Sequence, residues 1–203
     1  MPTHDTMDRV TVSTVVYTDP QSVYDFLVDF ERYGDYTDYV RRVMASGDGG
    51  PGTRYAIEFG WWKLTYTARS RVVAVDPPSE IQWEITKDLD ASGRWLVEPV
   101  PLPDDAPDWA AEATEVTVDV EYDASSVGPS ALDLPRLVSL DWVLDKVKPR
   151  IAEAATQVLR RIVTDLEGQP RDPELIVHRT PDEVDLDADD LQVTGDEDGA
   201  RGR

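Results

Sequence analysis

The sequence predicts an α+β fold: a curved antiparallel sheet of about six or seven strands around a long C-terminal helix, with two short helices after the first strand. Three observations carry this expectation. A Val/Thr/Ser/Tyr run at Val10–Tyr17 reads as a strand and passes straight into an amphipathic turn. From Thr53 to Tyr122 apolar residues recur with period two, and from Leu137 to Leu166 they recur at three- and four-residue steps.

Residues 1–8 read as a loose leader. After Val10–Tyr17, Asp19 offers an N-cap carboxylate and Pro20 sits at the first helical position, where its missing N–H costs nothing. Val23, Phe26, Leu27 and Phe30 then recur at helical spacing, giving the new helix one apolar face. Glu31 to Tyr36 can form a second short helical turn, leading into a strand at Tyr39–Ala45. The glycine-rich run Gly47-Asp48-Gly49-Gly50-Pro51-Gly52 has no Lys-Ser/Thr ending and precedes a strand, so it reads as a hairpin loop and not a phosphate cradle.

In the period-two region, Thr53–Gly60 places Tyr55, Ile57 and Phe59 on one face. Trp62–Val75 places Trp62, Leu64, Tyr66, Ala68 and Val72 on one face, against Lys63, Thr65, Thr67, Arg69 and Arg71. Asp76-Pro77-Pro78-Ser79 stops that strand, because proline cannot donate to the ladder. Ile81, Trp83 and Ile85 alternate against Gln82, Glu84 and Thr86; Gly93–Pro99 contributes Trp95 and Val97. Ala113–Tyr122 sets Val116, Val118, Val120 and Tyr122 against Glu115, Thr117, Asp119 and Glu121. Short strands joined by turns point to an antiparallel meander with one apolar face.

The helical stripe comprises Leu137, Leu140, Leu144, Val147, Ile151, Ala154, Ala155, Val158, Leu159, Ile162 and Leu166. Ser139 can cap its start and Gly168 suits its end, while Pro149 either kinks one helix or divides two. Residues 169–203 are rich in Pro, Asp and Gly and read as an acidic, largely disordered tail, with Leu175-Ile176-Val177 as an apolar island able to dock back. The domain proper is expected at residues 9–168.

The strand-to-helix opening Tyr17–Tyr33, with its Asp-Phe-Glu-Arg-Tyr at 29–33, together with this order of elements, resembles the SRPBCC superfamily. That is the START and birch-pollen-allergen-like group, including its polyketide cyclase/dehydrase and coenzyme Q-binding branches. The resemblance covers residues 9–168 and implies a helix-grip fold holding an apolar small molecule between sheet and helix. It supplies no catalytic signature that can be placed on residues of this chain.

Composition narrows the function further. The chain has net charge −21, with 41 acidic against 20 basic residues and only the lysines at 63, 87, 146 and 148. Such a surplus repels itself in dilute buffer, and at about 1 M salt the Debye length shrinks to roughly 3 Å. The aspartate-rich, lysine-poor pattern resembles proteins of salt-loving archaea. The densest basic spots are the adjacent pairs Arg41-Arg42 and Arg160-Arg161, both isolated and too few for a nucleic-acid stripe. No apolar stretch approaches the ~20 residues of a membrane span and no signal pattern opens the chain, so the expected location is cytoplasmic. There is no cysteine, and His4 and His178 fall in the leader and tail; thiolate chemistry, a histidine base and ordinary zinc sites are not expected. The Asp187–Asp190 run lacks the pattern of a calcium loop. No cofactor is expected.

The candidate site is the apolar face itself. Tyr55, Ile57, Phe59, Trp62, Leu64, Tyr66, Trp83, Trp95, Val118 and Tyr122 are expected to line a cavity, closed by Trp142 and Ile151 from the helix. Large rings with a few hydroxyls are what an apolar pocket requires, although the same rings also suit a dry core. Arg54, Glu58, Glu84 and Glu98 alternate out of phase and are expected to face water. Three functions compete. One is binding of an apolar ligand such as a lipid, isoprenoid, quinone or polyketide. A second is a cyclase or dehydratase using Tyr and carboxylate groups. The third is a protein-interaction domain with an exposed patch near Trp61-Trp62 or Trp109. The residues favour them in that order, and oligomeric state is not legible.

Overall fold

The computed structural model describes residues 7–61, 64–126 and 157–179, with the side chains of residues 61, 64 and 124 excepted. Strand β1 (Asp8–Val16) leads into helix α1 (Pro20–Val28) and a 3-10 helix (Phe30–Asp35). Six strands follow: β2 (Val40–Ser46), β3 (Arg54–Trp61), β4 (Leu64–Asp76), β5 (Glu80–Ile85), β6 (Asp90–Val100) and β7 (Ala113–Asp123). A helix over 157–167, here α2, and a last strand β8 (Ile176–Arg179) complete the order.

The local chemistry behaves as the sequence implies. The Asp19 carboxylate accepts from Ser22 N at 2.9 Å and Ser22 Oγ at 2.6 Å, and these bonds hold its pKa below the usual value. Pro20 opens α1, whose Val23, Tyr24, Phe26 and Leu27 are buried. In the β2–β3 loop Gly47, Gly49 and Gly52 all take positive φ, a backbone that L side chains resist. The α2 helix ends at Gly168, which has φ +69 and donates its N–H to Thr164 O at 2.9 Å.

Among the described residues, eight strands form one antiparallel sheet in the order β2-β3-β4-β5-β6-β7-β1-β8. Its inner face carries Val16, Tyr55, Val72, Ile81, Val97 and Val116, which pack with α1 and with Val163 of α2 into one core. Val158, Leu159, Ile162 and Leu166 flank that core as the expected stripe implies; Val163, absent from that stripe, is the fully buried residue at its centre. The start of the helix, Ser139 and Pro149 lie outside the described residues.

The tail boundary differs from the expectation. Residues 176–179 pair with β1 (Val12 opposite Val177, Ser13 opposite Ile176), so the apolar island adds an eighth strand. The intervening segment is tied down by polar contacts. Arg171 grips the fully buried Glu167 carboxylate at 2.7 and 2.8 Å, and Thr14 Oγ1 donates to Glu174 O at 2.7 Å.

Candidate functional site

Because paired residues of an antiparallel ladder share a face, the register decides where each candidate sits. Phe59 stands opposite Tyr66, Ile57 opposite Ala68, and Tyr55 opposite Ser70. One row crosses the sheet as Val10–Val120–Gly93–Trp83–Val72, and the next as Val12–Val118–Trp95–Ile81–Val75. Tyr122 pairs with Ala91 one row further on. Tyr55, Ile57, Phe59, Tyr66, Trp83, Trp95, Val118 and Tyr122 therefore share the inner face with the core. Of the remaining candidates, Trp62, Trp142 and Ile151 lie outside the described residues, as does the side chain of Leu64.

The inner face is not uniform. Val16, Val97, Val116, Val72 and Ile81 are shut off from solvent, and Tyr55 is anchored by its hydroxyl on Val28 O at 3.3 Å. Trp83, Trp95, Val118, Tyr66 and Tyr122 are half-buried, and Phe59 is 37% exposed. Burial raises the phenol pKa of both Tyr66 and Tyr122, with Asp88 and Asp8 respectively adding to it, so each phenol is a hydrogen-bond donor and a weaker acid than a free tyrosine. Trp83 contributes a further donor: its indole nitrogen is buried without a hydrogen-bond partner among the described residues.

The outer face has different chemistry. An open groove of about 380 Å³ is lined by Arg9, Arg94, Asp119, Glu121, Glu84 and Ser92 among others. Asp119 is 7% exposed and is held by Arg9 Nε and Nη2 at 2.7 and 2.5 Å, Thr11 Oγ1 at 2.9 Å and Arg94 Nε at 3.2 Å. Hydrogen bonding from Arg9 is the main cause that brings its pKa down to about 2. An apolar ligand there would have to desolvate several charges for little apolar contact, so this groove does not suit one. Glu84 bonds Arg71 at 2.6 Å on the same face, and Glu98 pairs with Glu115 in β7.

The remaining candidates are quickly placed. His178, expected in a loose tail, sits in β8 with Nε2 2.7 Å from the buried Ser13 Oγ. Ser13 gives its proton to Glu115 Oε1 at 3.0 Å, so it is not poised as a nucleophile with His178 as its base. Trp109 is 43% exposed but rests edge-on against Tyr17 at 5.8 Å. Among the described residues no cluster of three or more His, Cys, Asp or Glu is placed to hold a metal ion, and no helix is long and apolar enough to cross a membrane.

The unpartnered indole is what sequence reasoning missed; the phenols of Tyr66 and Tyr122 were already among the expected site groups. Alternation announces the face of a ring, but whether its polar edge finds a partner depends on the assembled neighbours.

Comparison with known proteins bears on the fold and the family. Among curated proteins no sequence match was found. Among solved structures the fold is similar to that of the di-domain ARO/CYC StfQ from the steffimycin biosynthetic pathway. That match has 15% identity and a TM-score of 0.52, covering 79% of this chain and 51% of that one. The chain thus spans about half the length of that di-domain protein. A START superfamily protein from Mycobacterium smegmatis matches at 14% identity and TM-score 0.52, over 78% of this chain and 99% of that one. Ara h 8.0201 matches at 16% identity and TM-score 0.52, over 79% and 99%. At these identities the likeness is one of fold, and it is the helix-grip fold of the START and birch-pollen-allergen superfamily. In sequence, residues 7–167 match the family described as polyketide cyclase/dehydrase and lipid transport, and the chain belongs to that family.

Proposed function

We propose that this protein binds an apolar small molecule of lipid, isoprenoid, quinone or polyketide type on the inner face of the sheet, beneath the C-terminal helix. The observation that carries this is the set of half-buried rings on the inner face: Trp95 packs against the buried core, while Tyr66 and Trp83 lie on the same face outside that cluster. Trp62, Leu64, Trp142 and Ile151 belong to the same proposed lining. Membership of a family described by cyclisation, dehydration and lipid transport supports the reading. The outer groove, whose lining includes Trp83, Gly93 and Val73, suits an apolar ligand less well, because Arg9, Glu84, Arg94, Asp119 and Glu121 make up half of that lining.

A second reading is favoured by one observation. Tyr66 and Tyr122 place phenol O–H donors on the ring-lined face, and a polyketide cyclase or dehydratase needs a donor beside its substrate. The two readings share one site and differ in whether the ligand leaves changed.

Native mass spectrometry of the full-length protein, purified in molar salt, tests binding directly. A co-purifying apolar mass, displaced by a neutral solvatochromic dye whose binding weakens in Tyr66→Ala, is the expected result. A protein that carries nothing and binds no dye saturably would refute it. Turnover of an added poly-β-ketone, lost in Tyr66→Phe and Tyr122→Phe, would establish the enzymatic reading.

A further inference from the structure

We propose that the ligand carries a buried, neutral hydrogen-bond acceptor, a ring ketone or quinone-type carbonyl oxygen, and that Trp83 Nε1–H is the donor that reads it. The inference rests on the inner face being the ligand site. Its starting point is that the Trp83 indole nitrogen is buried with no acceptor among the described residues. Leaving such a group unpaired costs about 1–3 kcal/mol, and buried polar atoms nearly always have partners.

The indole is held in place by its neighbours. Trp83 stands across from Gly93 on β6 and Val72 on β4. A Cβ at Gly93 would overlap Cζ2 of the indole and approach Cε2 to 2.9 Å, so the ring lies down on the glycine. Cε2 carries Nε1, which fixes the N–H edge over β6 near the middle of the sheet. The row mates Val10, Val120, Gly93 and Val72 bring no side-chain acceptor to that edge. Phenylalanine would keep an apolar ring on this face with no polar atom to satisfy. An indole here makes physical sense when something else supplies the acceptor. A hydrocarbon tail cannot do so; a carbonyl oxygen set in an apolar frame can. An anion is disfavoured because the chain carries net charge −21 and the face is apolar.

The test compares fluorenone with fluorene, which share a three-ring outline and differ by one carbonyl. Each is titrated into the full-length protein in molar salt, displacing a neutral solvatochromic dye, and the indole N–H resonances are followed on ¹⁵N-labelled protein. Fluorenone is expected to bind about tenfold tighter than fluorene, as one net hydrogen bond implies. It alone should move the indole resonance that Trp83→Phe removes, and Trp83→Phe should bring the fluorenone-to-fluorene affinity ratio to about one, whatever the lost ring contact does to both affinities. Equal affinities, a preference that survives Trp83→Phe, or an unmoved indole resonance in the saturated wild-type protein would overturn the assignment and leave the apolar site standing. Failure of the dye and of both compounds to bind would instead remove the site itself, and the assignment with it. If Trp83→Phe does not fold, the wild-type affinity ratio and indole shift still decide.

Discussion

Replacing Asp119 by asparagine removes one charge from the middle of the outer face while keeping the shape of the side chain. The carboxylate is 7% exposed and takes hydrogen bonds from Arg9, Thr11 and Arg94, joining β1, β7 and β6. Its pKa falls from 3.8 to about 2, chiefly through the Arg9 hydrogen bond and against an opposing desolvation. At about 1.4 kcal/mol per pKa unit, the ionised form contributes about 2 kcal/mol of stability. The sign follows from the depressed value. The contribution is complete above the unfolded-state pKa near 4 and is lost as pH falls through the folded-state value near 2.

Denaturant unfolding of wild type and Asp119→Asn at fixed ionic strength checks this. At neutral pH the variant should be less stable by about 2 kcal/mol, and the gap should close to about half a kcal/mol or less by pH 2. The unfolding slope should be unchanged, since no surface is newly exposed. A variant as stable as wild type at neutral pH would mean that the Arg9 and Arg94 contacts merely offset desolvation. A gap that persists on acidification would place the cost in packing and not in charge.

Three further outcomes are expected. Glu167→Ala strands the Arg171 guanidinium and frees Tyr17 N, and should cost about 3–5 kcal/mol by denaturant unfolding; truncation after residue 168 should be comparably damaging. Gly93→Ala forces a methyl into the Trp83 ring and to within 2.9 Å of Asp119 O, which should cost about 1–3 kcal/mol and shift tryptophan emission. The acidic surplus should make the melting temperature rise steeply between dilute and molar KCl; a flat response would count against adaptation to high salt.

Alternation alone was enough to sort most side chains to a face, because each strand from β3 to β7 carries its own period-two pattern. It was ambiguous where four small apolar residues run together at Val72-Val73-Ala74-Val75. There the register shifts between Val72 and Ala74, so Val72 and Val75 both turn inward while Val73 is 45% exposed. The same alternation sets Asp119 on the face opposite the valines of β7 and says nothing of its burial. It is buried because Arg9 and Arg94 fold over it, and Arg9 lies 110 residues away in sequence. The strand β8 was hidden for a related reason. Four residues among prolines and charges have too little pattern of their own, and their order comes from Arg171, Thr14 and the exposed edge of β1. For the candidate site, the face of each ring was legible but its neighbours were not, since only the register brings Trp83 onto Gly93.

Stability and proposed recognition occupy different parts of the inner face, and this separation has a consequence. The last turns of α2 are clamped by polar contacts as well as by Val163. Asp165 accepts from Tyr36 Oη at 2.6 Å and from Arg32 at 2.7 Å, Arg161 donates to Tyr36 O at 3.0 Å, and Glu167 takes Tyr17 N at 2.9 Å. The Tyr36 phenol is correspondingly pushed up to about 12, by burial first and then by Asp165. These clamps and the dry cluster around Val23, Phe26 and Val97 anchor helix to sheet at one end. The half-buried rings at Tyr66 and Trp83 take no part in that anchoring, so their side chains are free to be selected for a ligand. Truncating Val97 or Val163 to alanine should therefore cost about 1–3 kcal/mol of stability while leaving probe affinity per folded molecule intact. Truncating Tyr66 should do the reverse, weakening probe binding with a much smaller loss of stability. Equal losses of stability at both ends would mean that the rings are ordinary core and that the inner face has no ligand to hold.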